Sequence, residues 1–184
     1  MRIIAGTRRG RLLVTPKGKD TRPTRGRIRE SIFNIIQNEI MGAAVLDLFA
    51  GSGAMGLEAL SRGAARAVFV DNARPARDAI EKNIRSLQMG NQARLLCLDY
   101  TEALCRLRRE ELRFDIIFLD PPYDLAGTDG PFSQIQKSGV MKRGALLIYE
   151  HAKRNVFVPV GLNAIDERSY GETSVTFMKE IPEA

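Results

Sequence analysis

Asp120, Pro121, Pro122 and Tyr123, in the stretch IIFLDPPYDL, are the residues whose types and order point most directly to chemistry. An apolar run stops on a carboxylate. The proline that follows biases Asp120 away from the helical region. Pro121 and Pro122 each fix φ and remove an N–H. A stiff corner rich in acceptors and poor in donors suits an amino group, whose hydrogens a carboxylate and a proline carbonyl can share. Tyr123 adds a ring on which a flat heterocycle can stack. An exocyclic base amine is a weak nucleophile because its lone pair is delocalised. Two acceptors on its hydrogens favour a pyramidal nitrogen, and the rest of an in-line transfer is positioning. A base reaching such a pocket must leave its stack. A stiffened turn with a core tyrosine would also account for these four residues taken alone.

The elements around the corner narrow the choice. From residue 43 the chain alternates apolar runs of strand length with helical patterns. The runs are AAVLDLF, ARAVFVD, RLLCLD, FDIIFLD and GALLIYE; helices are expected over 53–63, 73–88, 100–110 and 131–139. Strands that are almost wholly apolar and alternate with helices predict a parallel sheet covered on both faces. The tail NAIDERSYGETSVTFMKE reads instead as a hairpin about Gly171, adding antiparallel strands at the sheet edge.

Gly51-Ser52-Gly53-Ala54-Met55-Gly56 matches G-x-G-x-x-G between a strand and a helix, the setting of a nucleotide-binding turn. Asp47, four residues earlier, selects among ligands. A carboxylate repels a pyrophosphate and attracts a cation. S-adenosylmethionine carries a sulfonium and an ammonium and no phosphate, so Asp47 favours it over NAD. A structural Asp that bonds loop amides would be compatible with both. Asp71 after the second strand suits ribose hydroxyls, and Asp99, followed by Tyr100, suits an adenine amino group. Phe49, Ala50, Ser52 and Asn72 complete the expected cofactor set. Four strands thus end on or near an acid at one sheet edge, where open α/β sheets bind ligands.

Charge is uneven. Residues 1–29 hold ten Lys or Arg against one acid, Asp20, while the whole chain of 184 residues carries +6. That density predicts a polyanion partner, with Arg8, Arg9, Arg11, Arg22, Arg25 and Arg27 as contacts. Residues 2–5 and 10–14 are expected to form a short hairpin, 16–26 a mobile arm, and a helix capped by Thr24 to run to about Ile40. No transmembrane run or signal peptide is expected, and Cys97 and Cys105 show no metal or disulfide spacing. Cys97 is expected in the core of the third strand and His151 in a structural role. A reduced cytoplasmic monomer without metal is the expectation.

LDLFAGSGAMGLEALSRGA together with FLDPPY resembles the class I methyltransferases that act on amino groups. MRIIAGTRRGRLL, TRPTRGRIRESIFNII and YGETSVTF narrow the resemblance to the bacterial 16S ribosomal RNA guanine-N2 methyltransferases of the RsmD type, over nearly the whole chain. The resemblance implies a seven-stranded Rossmann-like methyltransferase sheet and S-adenosylmethionine as donor. It implies a guanine N2 target of the guanine-966 type, on a partly assembled small subunit. It assigns Asp120 to Tyr123 to the target amine, and Gly51, Gly53, Asp71 and Asp99 to the cofactor. Residues 1–40 would then be an RNA-contacting extension, and 41–184 the methyltransferase domain. Two departures from the family's pattern are visible: Asp71 stands where Glu is more usual, and Gly26 where a polar side chain is. A DNA amine methyltransferase shares the catalytic corner, although 184 residues leave little room for a target-recognition domain. A protein glutamine methyltransferase would begin the corner with Asn. A non-catalytic RNA-binding assembly factor would keep the basic arm and lose the cofactor. An NAD oxidoreductase fits least, given Asp47.

Overall fold

The structure is a computed structural model describing residues 1–16, 23–122, 125, 126, 128–153 and 159–181, with residues 23–25 as backbone alone. Its centre is a seven-stranded sheet built from β1 (Ala44–Leu48), β2 (Arg66–Val70), β3 (Ala93–Leu96), β4 (Phe114–Leu119), β5 (Met141–Ala152), β6 (Leu162–Tyr170) and β7 (Thr173–Glu180). The spatial order is β3-β2-β1-β4-β5-β7-β6. The first five strands are parallel, and β7 pairs antiparallel with both β5 and β6. Parallel strands covered on both faces must be apolar throughout, and β1 is buried at all five positions.

Helices α1 (Pro23–Ile35), α2 (Ala54–Ser61) and α3 (Arg74–Leu87) lie on one face, and α4 (Tyr100–Arg109) and α5 (Gly130–Ser138) on the other. Ile28, Ile32 and Phe33 of α1 share a core with Ile3, Leu13, Leu57, Ile80 and Phe118. The N-terminal segment is therefore packed into the sheet's own core. The strand order reverses where β1 leaves β2 and meets β4. The crevice outside the carboxyl ends of those strands is where such sheets receive ligands.

Several expectations shift. The N-terminal hairpin is present, with an Arg2–Leu12 bridge and Ile3 donating to the Arg11 carbonyl at 2.9 Å. Helix α1 starts at Pro23, whose fixed φ suits a first turn, so Thr24 lies inside the helix and does not cap it. It ends at Ile35, short of Ile40. Ile36 and Ile40 keep helical spacing because both are buried, within a turn closed by the Glu39 N–H on the Ile36 carbonyl. Cys97 is exposed, since β3 ends at Leu96 on a sheet edge. β5 runs three residues earlier and two later than the GALLIYE run. His151 is buried, its Nε2 2.9 Å from Thr176 Oγ1 and its ring stacked on Tyr149, a structural setting.

Candidate active site

The glycine loop follows β1 directly. Phe49 takes φ of +68°, then Gly51 (+59°) and Gly53 (+73°) turn the chain into α2. Gly56 has a different job. A Cβ there would lie 2.4 Å from Phe69 Cε1, so the third glycine lets α2 close on β2.

The amides of the three motif glycines are already engaged. Asp71 Oδ2 accepts from Gly51 N–H at 2.8 Å, the Ala50 carbonyl from Gly53 N–H at 2.7 Å, and Asp47 Oδ2 from Gly56 N–H at 2.9 Å. A pyrophosphate would need such donors free. Asp47 is 4 % exposed. Its carboxyl is pushed up to about 7, chiefly by burial, with the nearby Asp120 and Asp71 also raising it and the Gly56 bond pulling the other way. Asp47 thus does bond a loop amide, and it also lines the crevice with Gly51 and Asp120.

Asp71 immediately follows β2, and its second oxygen accepts from Ala73 N–H at 2.9 Å. Asn72 beside it is exposed. Asp99 lies three residues beyond β3 as the N-cap of α4, accepting from Thr101 N–H at 2.9 Å and from Thr101 Oγ1 at 2.7 Å. The Thr101 hydroxyl holds its carboxyl below the usual range. Tyr100 opens α4, its ring 5.2 Å from that of Phe49 and tilted by 43°. These two rings and the acids of β1, β2 and β3 are gathered along one sheet edge.

Asp120 follows Leu119, the β4 residue that pairs with Leu48 of β1. It is exposed, Pro121 is buried and Pro122 is exposed. The Pro122 carbonyl accepts from the Leu125 and Ala126 N–H groups, both at 3.0 Å. Tyr123 lies outside the described residues. So do Arg22 and the Arg25 side chain. Of the other basic candidates, Arg9 and Arg27 are exposed. Arg8 Nε donates to the Leu87 carbonyl at 2.7 Å and Arg11 Nη2 to the Ser86 carbonyl at 3.0 Å, so both satisfy the C-terminal end of α3.

Sequence reasoning missed three buried polar groups around the crevice. Glu58, fully buried in α2, accepts from Ile4 N–H (2.8 Å), Ala5 N–H (3.0 Å) and Arg62 Nε (2.8 Å), fastening the hairpin. Arg29 is 5 % exposed and lines the crevice; its Nη2 donates to the Arg2 carbonyl at 2.6 Å, and its Nε lies 3.7 Å from Glu58. Burial lowers its guanidinium from the ordinary value, against the pull of Glu58. Asn83, fully buried in α3, joins Val14 to Ser52. The signal available in the sequence was a lone polar residue on an otherwise apolar helix face, as at Glu58 within GLEAL.

Known proteins resemble this chain in sequence and in fold. The chain matches the family described as conserved hypothetical protein 95 over residues 1–179. It is 37% identical over 183 residues to YlbH of Bacillus subtilis (strain 168), covering 98% of this chain and 99% of that protein. It is 36% identical over 163 residues to ribosomal RNA small subunit methyltransferase D of Escherichia coli (strain K12), covering 89% of this chain and 80% of that protein. Among solved structures, yhhF of Escherichia coli superposes with a TM-score of 0.85 at 31% identity, over 100% of this chain and 99% of that one. The fold is that of class I methyltransferases, and the chain belongs to the conserved hypothetical protein 95 family, the RsmD-type methyltransferases.

Proposed function

We propose that the protein transfers a methyl group from S-adenosylmethionine to the exocyclic N2 amine of a guanine in 16S ribosomal RNA, at a guanine-966-type site, on an assembling small subunit in the cytoplasm. The observation that carries the reading is the shared crevice: Asp120, opening the proline corner, lines the same cleft as Asp47 and Gly51. The names of the relatives, ribosomal RNA small subunit methyltransferases, support the RNA.

The crevice fits the cofactor. The Gly51 and Gly56 amides are tied to carboxylates whose charge repels a phosphate, and the acid of Asp47 favours a cation. Asp71 retains lone pairs for ribose hydroxyls and Asp99 Oδ2 for an adenine amine. Phe49 and Tyr100 offer an apolar wall. When bound, the cofactor supplies a methyl carbon on a positively charged sulfur.

The chain's own residues then position the target. Asp120 accepts one amine hydrogen. The Pro122 carbonyl is occupied by Leu125 and Ala126, so the Pro121 carbonyl takes the other. Both acceptors hold the nitrogen lone pair toward the methyl group, and Asp120 or solvent receives the proton released afterwards. Tyr123 stacks on the guanine ring. Arg9, Arg22, Arg25 and Arg27 hold the phosphates, and residues 1–40 act as the RNA-contacting extension of the 41–184 methyltransferase domain.

The test is to incubate the protein with tritiated cofactor and small-subunit particles, digest the RNA and chromatograph the nucleosides. Label in N2-methylguanosine is expected. Label in duplex DNA in preference to ribosomal RNA, or no transfer to any nucleic acid, would overturn the reading.

A further inference from the structure

Val14 is 40 % exposed, so side-chain packing does little to hold it. Yet the chain passes through Val14 to Thr15 and Pro16, which line the crevice, and then to the basic stretch beginning at Lys17. What fixes it is a side-chain amide from α3. Asn83 Oδ1 accepts the Val14 N–H at 2.8 Å, and Nδ2 donates to the Val14 carbonyl at 2.9 Å. The second Nδ2 hydrogen goes to the Ser52 carbonyl at 3.0 Å, inside the glycine loop. Asn83 is fully buried, and both amide hydrogens and the carbonyl are used. A side chain thus pairs with the backbone as a neighbouring strand would, and ties that backbone to the loop that lines the crevice.

Two segments with different proposed tasks meet at this one group. Ser52 belongs to the loop that faces the cofactor, and Val14 is the root of the arm that faces phosphates. A buried amide bonded to both has no alternative partner if one segment moves, because unpaired polar atoms inside a protein are costly. A ligand that orders either segment therefore favours the ordered form of the other.

We propose that Asn83 is a positioning residue that latches the root of the basic arm to the glycine loop, so that methyl donor and RNA bind cooperatively. The proposal rests on the methyltransferase reading above and adds an energetic link between its two substrates. Linkage makes the effect reciprocal: whatever factor the cofactor adds to RNA affinity, RNA adds to cofactor affinity.

The experiment measures two affinities on the full chain. Thermophoresis of the fluorescently labelled protein reports its affinity for purified small-subunit particles with and without saturating S-adenosylhomocysteine, and calorimetry reports S-adenosylhomocysteine with and without the particles. In the unaltered protein each ligand is expected to tighten the other by about fivefold or more, by the same factor in both directions. Asn83→Ala is expected to bring that factor to within about twofold of unity. Val14→Pro gives a second route, removing the N–H that Asn83 accepts while leaving α3 untouched. A purely structural asparagine would lower thermal stability and leave the coupling factor alone. Two ligands that bind independently in the unaltered protein, or a factor unchanged in both variants, would overturn the latch and leave the enzymatic reading standing. Absence of any S-adenosylhomocysteine binding would remove both.

Discussion

Asp71 and Gly51 are joined by a 2.8 Å hydrogen bond from the Gly51 N–H to Oδ2, so the acid that follows β2 shapes the loop that follows β1. Asp71 Oδ1 meanwhile accepts from Ala73 at the start of α3. A residue expected only to touch a ribose is also a strut between two loops. Asp71→Ala removes both bonds. Calorimetry is expected to show S-adenosylmethionine binding weakened by about tenfold or more, the scale of losing a hydrogen bond to a charged group. Asp71→Asn, which keeps an acceptor, is expected to fall between. Equal affinity in Asp71→Ala would count against the strut.

Asp47 makes both stability and cofactor affinity depend on pH. Its carboxyl is held up at about 7 in the folded protein, chiefly by burial. Between the ordinary value near 4 and about 7, the folded state keeps a proton that the unfolded state has lost. Folding is therefore favoured at the acidic end of that window, and the advantage is lost as pH rises through about 7. Relative to Asp47→Asn, which keeps an acceptor for Gly56, thermal stability should fall by on the order of 1 to 4 kcal/mol from about pH 5 to about pH 8. Over the same range Asp47 gains its charge, so S-adenosylmethionine should bind more tightly, with a steeper rise than S-adenosylhomocysteine, which lacks the sulfonium. Parallel profiles for the two ligands would contradict the cation-selecting role.

Gly56 and Gly26 give opposite expectations for the same substitution. A methyl group at Gly56 meets the Phe69 ring at 2.4 Å within the core, so Gly56→Ala should cost about 1–3 kcal/mol in denaturant unfolding. At Gly26, inside α1, an added Cβ meets nothing within 4 Å among the described residues, and Gly26→Ala should gain about 0.5–1 kcal/mol from helix propensity. A neutral Gly56→Ala would show that α2 can move away from β2.

Local pattern made much of this legible in advance. The five parallel strands, the edge hairpin and the placing of Asp47, Asp71 and Asp120 at one sheet edge follow from apolar runs punctuated by acids and glycines. Burial in a turn imitates helical spacing, which is why Ile36 and Ile40 suggest a longer α1 than the chain forms. Cys97 looked like core because a run of apolar residues does not reveal that its strand lies at an edge. The bonds of Arg8 and Arg11 to α3 were not legible because their partners lie 79 and 75 residues away. Glu58 and Asn83 were missed for the same reason, with partners 54 and 69 residues away that no local window contains.

The arm should set the salt dependence of RNA binding. Changing Arg22, Arg25 and Arg27 together to Ala should flatten the slope of log affinity against log salt by about 2, near 0.7 for each single-stranded phosphate that is no longer neutralised. Arg8→Ala, which frees the Leu87 carbonyl, should lower thermal stability and leave that slope nearly unchanged. A triple variant with the original slope would place the phosphate-binding residues elsewhere.

The proline corner is tested most directly by comparing catalysis with cofactor binding in Asp120→Ala. The residue is exposed at the crevice mouth, so its removal should spare the fold. Tritium transfer to small-subunit particles should fall by about a hundredfold or more, the scale expected when a positioning acceptor is removed, with S-adenosylmethionine affinity changed only a few-fold. Transfer at the original rate in Asp120→Ala would show that this carboxylate does not hold the amine.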